Sequence, residues 1–161
     1  MRKIRNIIAY MVALAILMVV QSASAQNNLE GVWKITEDGM AGPAAVIKNP
    51  QPGFMVLTKK YCLTVAVTSN KPRPDQSLSN ASDAQKVAAW TPFEAYASTY
   101  EVKGNTITFH NLVAKSPEEM KSGSMTTFDF KIEGNVLFLT LKGDQSGPDA
   151  RGLKLKLTRV E

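Results

Sequence analysis

The chain has 161 residues, with 19 Lys and Arg against 14 Asp and Glu, one His and one Cys. That length suits one domain of ordinary size. A single His and a single Cys exclude four-Cys, two-Cys-two-His and three-His zinc sites, and a lone Cys leaves no partner for an internal disulfide.

Residues 1–25 read as a secretory signal peptide. Arg2, Lys3 and Arg5 form a basic start, Ile7 to Val20 is an uncharged apolar run of 14 residues, and Ala23-Ser24-Ala25 is a small-residue cleavage pattern. A retained membrane anchor is the alternative, but a spanning helix needs about 20 apolar residues. No Cys follows the run, which gives no support to lipoprotein processing. Cleavage after Ala25 leaves one domain of 136 residues, 26–161, with 16 basic and 14 acidic side chains. That near balance, together with export, argues against nucleic acid as a partner. No second apolar run reaches spanning length, so stable membrane insertion after cleavage is not expected. The expected location is periplasmic or extracellular. There Cys62 is most simply a buried small apolar residue, with an intermolecular disulfide or reactive thiol as the sharper alternative.

The rest of the chain alternates mostly with period two, the pattern of half-buried strands. Leu29 to Thr36 reads as the first strand, with Trp33 and Ile35 on one face. Ala44 to Lys48, Phe54 to Thr58 and Tyr61 to Ser69 follow, separated by Pro50-Gln51-Pro52-Gly53 and Lys59-Lys60. Asn70 to Asp75 contains Pro72 and Pro74 and is expected as a stiff irregular loop. Ser82 with Gln85 three residues on resembles a capping box, so a short helix is predicted from about Ser82 to Ala89, ended by Thr91-Pro92.

Two hairpins follow. In Tyr96 to Lys103, Tyr96, Ser98, Tyr100 and Val102 share a face. Lys103-Gly104-Asn105 turns the chain, Gly and Asn tolerating positive φ, and Ile107 and Phe109 return on the same side. The design recurs with Phe128, Phe130 and Ile132, the turn Gly134-Asn135, and an apolar strand Val136 to Leu141. Last, Leu153, Leu155 and Leu157 alternate with Lys154, Lys156 and Thr158, and Arg159 falls on the leucine side.

A sheet with one apolar face must bury it against another layer or close on itself, and one short helix is too little cover. The expected fold is therefore all-β: a single up-and-down antiparallel barrel of about eight strands, with one short helix in a connection. Closure also removes unpaired edges. A two-sheet sandwich is the alternative.

Gly31-Val32-Trp33 on the first strand with Arg159 on the last resembles the calycin arrangement shared by lipocalins. The resemblance implies that Gly31, Trp33 and Arg159 form the barrel base, the guanidinium lying across the indole as a cation–π contact. Thr58-Lys59-Lys60-Tyr61, Lys71-Pro72-Arg73-Pro74, the stretch from Trp90 to Val102 and Gly134-Asn135 are similar, in residues and order, to the bacterial lipocalin-like domain proteins. The likeness covers nearly all of residues 26–161. Members often carry His-Tyr after the Thr-x-Lys, where this chain has Tyr61-Cys62, so no role of that histidine transfers. The resemblance implies a fold and little chemistry.

Catalytic machinery is not legible. The single imidazole, His110, falls on the polar side of its strand and lacks a nucleophile partner, and no Gly-x-Ser-x-Gly elbow occurs. Glu118-Glu119 follow Ser116-Pro117 and suit the acidic first turn of a helix; as sequence neighbours they would not face each other there. Asp144 and Asp149 flank a polar turn with only a remote claim to a hard cation. No catalytic residue, metal or cofactor is assigned.

What remains is the interior. Tyr61, Tyr96, Tyr100, Phe109, Phe128 and Phe130 are expected to face inward, where an eight-stranded barrel holds either one small ligand or its own side chains. Arg73, between two prolines near the expected mouth, is a candidate for an anionic ligand group. The expected function is non-covalent binding of a small apolar or amphipathic molecule. A calycin-type barrel enzyme (an isomerase or cyclase using Tyr or Glu) and a filled barrel serving as an interaction module are the alternatives. A cavity of at least roughly 300 Å³ separates the first two from the third.

Overall fold

The computed structural model describes residues 28–39, 46–48, 50–73, 77–144, 147–148 and 153–161. The signal-peptide reading of residues 1–25 lies outside them. Among the described residues ten strands follow in chain order: β1 (Gly31–Asp38), β2 (Ile47–Lys48), β3 (Phe54–Leu57), β4 (Tyr61–Val67), β5 (Phe93–Lys103), β6 (Thr106–Ala114), β7 (Met125–Glu133), β8 (Val136–Asp144), β9 (Gly147–Pro148) and β10 (Lys154–Arg159). The helix α1 (Asp83–Trp90) lies between β4 and β5, and a 3₁₀ turn, Pro117–Met120, between β6 and β7.

Eight strands close a ring in the order β1-β3-β4-β5-β6-β7-β8-β10, every pairing antiparallel, and β10 returns to β1. The two-residue strands β2 and β9 pair with β1 and β8 outside this ring. The fold is thus an up-and-down barrel with no open edge in its wall, and the sandwich alternative falls.

Local chemistry explains the joints. Gly104 and Gly134 adopt φ of 61° and 57° in the two hairpin turns, a region that side chains with a Cβ enter at a cost. Ser82 caps α1: its hydroxyl accepts from the Gln85 N–H, and the Gln85 side chain accepts from the Ser82 N–H at 2.8 Å. Both orphan donors are satisfied by the reciprocal pair expected from the spacing.

Closure sets Trp33 opposite Arg159. The Trp33 ring is fully buried and its Nε1 donates to the Leu29 carbonyl at 2.8 Å. The Arg159 guanidinium stands 4.1 Å from the ring centroid and donates to the carbonyls of Glu30 and Asn28. At Gly31 (φ 138°) a Cβ would run into the Glu161 carbonyl and the Arg159 side chain, so the strand entry requires glycine. Leu57, Ile107, Leu137, Leu139 and Leu157 fill this end.

Three β-bulges interrupt the wall. Thr36 is the extra residue on β1, Leu112 on β6 and Lys142 on β8. Each reverses the in-out alternation of its strand beyond that point, and each lies toward the end of the barrel opposite Trp33. Asp38 is turned inward by the first, Ala114 by the second and Asp144 by the third.

Candidate functional site

The barrel interior has two halves. The Trp33 end holds the fully buried side chains Leu29, Trp33, Ile107, Leu137 and Leu157. The other end holds a cavity of about 410 Å³, partly open to solvent. Its inner wall is apolar, with Met55, Phe109, Phe128 and Leu155 among the lining side chains. Small inward residues on β4 (Cys62, Thr64 and Ala66) leave the space.

The outer end of the cavity is acidic. Asp38 from the end of β1, Glu94 from the start of β5, Glu119 from the 3₁₀ turn and Asp144 from the end of β8 all line it. No Lys, Arg or His among the described residues does. The Tyr96 hydroxyl donates to Glu94 Oε2 at 2.7 Å. Lys115 lies 3.6 Å from Glu94 Oε1 and donates to the Thr91 carbonyl at 2.9 Å. Deeper in, the buried Ser98 hydroxyl donates to Asn111 Oδ1 at 2.7 Å. Glu119 Oε2 is enclosed and has no hydrogen-bond partner among the described residues.

Those surroundings shift the titrations. Burial, then the Glu94 and Glu118 carboxylates, push the Glu119 carboxyl above its usual range, against a smaller opposing pull from Lys115. Burial, then the hydrogen bond to the Glu94 carboxylate, hold the Tyr96 phenol well above its ordinary value. Burial pushes the Cys62 thiol up to about 12, against a lowering by its contact with Thr64. A thiol of that kind is a poor nucleophile.

Of the residues proposed from sequence to meet a ligand, Tyr96, Phe109 and Phe128 line the cavity. Tyr100 and Phe130 pack instead with the closed-end core, and the Tyr100 hydroxyl donates to the Thr58 carbonyl. Tyr61 faces out: its side chain is half exposed, because Cys62, Thr64 and Ala66 are the inward residues of β4. Arg73 lies outside the barrel, its guanidinium 5.5 Å from the Phe93 ring, in a shallow hollow with Lys86, Val87 and Trp90. The mouth expected for it is occupied by carboxylates. His110 is partly exposed beside Glu101, with 3.7 Å between Nε2 and Oε1. Asp149 lies outside the described residues.

Periodicity missed the acidic end. Glu94 carried a usable signal, since it shares strand parity with Tyr96 and Ser98 once β5 is started two residues earlier. Asp38 and Asp144 had none, their orientation arising from bulges that pairing alone reveals.

No family model matches this chain, and no curated protein matches it. A solved structure, that of an uncharacterized protein from Bacteroides eggerthii DSM 20697, is similar over 81% of this chain and 98% of that chain, with a TM-score of 0.45 and 13% identity.

Proposed function

We propose that this chain is an exported calycin-type, lipocalin-like barrel that binds a small amphipathic molecule non-covalently in the half of its interior away from Trp33. One observation carries the reading. A closed eight-stranded barrel of this size has room to be filled by its own side chains, yet about 410 Å³ stays open at one end. That volume falls within the range of small-molecule sites. An apolar inner wall and a polar outer end suit a ligand with one apolar and one polar part. The filled-module alternative has less support, since the small residues Cys62, Thr64 and Ala66 stand where bulkier ones would pack the space.

The enzyme reading keeps one observation in its favour: Glu119, with a raised carboxyl pKa, sits at the cavity wall with Glu94 and Tyr96, and perturbed groups in a cleft are candidates for acid–base chemistry. Native mass spectrometry of protein purified from its own host distinguishes the two. Binding predicts a stoichiometric small molecule that leaves unchanged on unfolding. Protein free of any adduct from cells and culture medium alike would remove the proposal.

A further inference from the structure

The apolar inner wall of the cavity is broken at one place. Ser98 on β5 and Asn111 on β6 are partners in register beside the bulge at Leu112, and both line the cavity. Ser98 is buried, and its hydroxyl donates to Asn111 Oδ1 at 2.7 Å. That bond uses one end of the amide. The other end, Nδ2, has no acceptor among the described residues. A serine hydroxyl both donates and accepts, so either end of the amide can meet Ser98. One end is always left over at the cavity wall.

The surroundings of this pair are polar on one side only. On β4, Cys62 stands opposite Ser98 and Thr64 opposite Tyr96. In ring order β4, β5 and β6 lie across from β8, β10 and β1, which present Leu141, Leu155 and Ile35 to the same space. A charged group set on Ser98 and Asn111 would exchange its hydration for two uncharged side chains, at a large cost. A neutral hydroxyl set there regains from the amide the hydrogen bond it gives up to water.

We infer that the ligand of this cavity carries an uncharged hydroxyl, held by Asn111 with Ser98 as its positioning residue, and an apolar body against Ile35, Leu141 and Leu155. This rests on reading the cavity as a ligand site and adds where the polar group sits and that it is neutral. Water that solvates the amide when no guest is bound is replaced by the guest's oxygen. A hydrocarbon of the same shape displaces that water without reproducing its bonds, which costs affinity.

Fluorescence titration with 2-naphthol and naphthalene, which differ by one hydroxyl, tests this at pH 7, with decanol as a competitor for both. Although it is the less hydrophobic, 2-naphthol is expected to bind about three- to tenfold tighter than naphthalene. Asn111→Leu, close in volume, should abolish that preference and leave naphthalene affinity unchanged. Ser98→Ala frees the amide to turn away and should lessen the preference, again without altering naphthalene. Melting curves show that each variant is folded, and Ser98→Ala carries the comparison if Asn111→Leu is not. If naphthalene matches or exceeds 2-naphthol, or if neither variant alters their ratio, the hydroxyl inference is overturned while the cavity reading survives on naphthalene and decanol. If none of the three probes binds, both fall.

Discussion

Glu119 illustrates how a single side chain can be held against its own stability. It sits on a short 3₁₀ turn, and one of its oxygens is enclosed beside Glu94. Its folded pKa is raised above the unfolded value, so the folded state holds the proton more tightly than the unfolded chain does. Stability is therefore present at low pH and falls as pH rises through the window from the ordinary Glu value to the folded one. Above that window the full cost of the ionised group is carried. Burial raises it most, followed by the charges of Glu94 and Glu118, against Lys115. Glu119→Gln removes the ionisation, and thermal melts should show no gain near pH 4 and a positive shift at pH 7 to 8. Partial exposure keeps the gain under about 1 kcal/mol, or about 4 °C for a domain of this size. A variant that melts lower than the parent at neutral pH would mean that the carboxylate is already satisfied. A destabilising group kept at a cavity wall is the kind of local conflict that function explains.

At the level of elements, the strands and turns follow from period-two alternation and from two Gly-Asn pairs, whereas the mouth does not. Ile107, Phe109, Phe128, Leu137, Leu139 and Leu157 fall inside as their alternation requires. Alternation predicts orientation only while pairing stays regular. One extra residue at Thr36, Leu112 and Lys142 reverses it, and the extra residue is invisible until the partner strand is known. On β4 the error had another origin. Adjacent strand residues face opposite ways, so the expectations of a buried Cys62 and of an inward Tyr61 exclude each other, and a preference for the larger side chain favours Tyr61. Where a barrel keeps a cavity, that preference fails: the small residues face in, and Tyr61, Leu63 and Val65 stand half exposed. The base of the barrel obeys ordinary packing. Trp33→Ala would remove a fully buried ring, its hydrogen bond to Leu29 and the surface on which Arg159 rests. A loss of about 3–5 kcal/mol is expected, read as a lower urea midpoint. Trp33 does not line the cavity, so the affinity of the remaining folded protein for decanol should be unchanged. An unaltered midpoint would contradict the burial of the ring.

Across the whole molecule, the two ends of one barrel differ in filling: a buried core lies at one and a cavity at the other. The Trp33 end gathers Leu57, Ile107, Leu137 and Leu157 into a buried plug and joins the first strand to the last. That plug allows the other end to remain hollow, since a closed ring needs a dense core somewhere but not along its whole length. Filling the hollow tests the division directly. Thr64 is half buried on β4, lines the cavity and stands opposite Tyr96 in the β4–β5 register. Thr64→Phe would place an aromatic ring in that space. With open volume to receive it, the ring gains apolar contact, so melting should hold or rise, while decanol affinity falls by about tenfold or more as the site is lost. A barrel whose interior is packed in solution would respond in the opposite way. There the added ring overpacks the core at a cost of about 1–3 kcal/mol, and no ligand affinity exists to be lost. The paired measurement, melting and titration on one variant, therefore separates a container from a filled barrel. A lower melting temperature with unchanged decanol binding would show that Thr64 does not face the ligand.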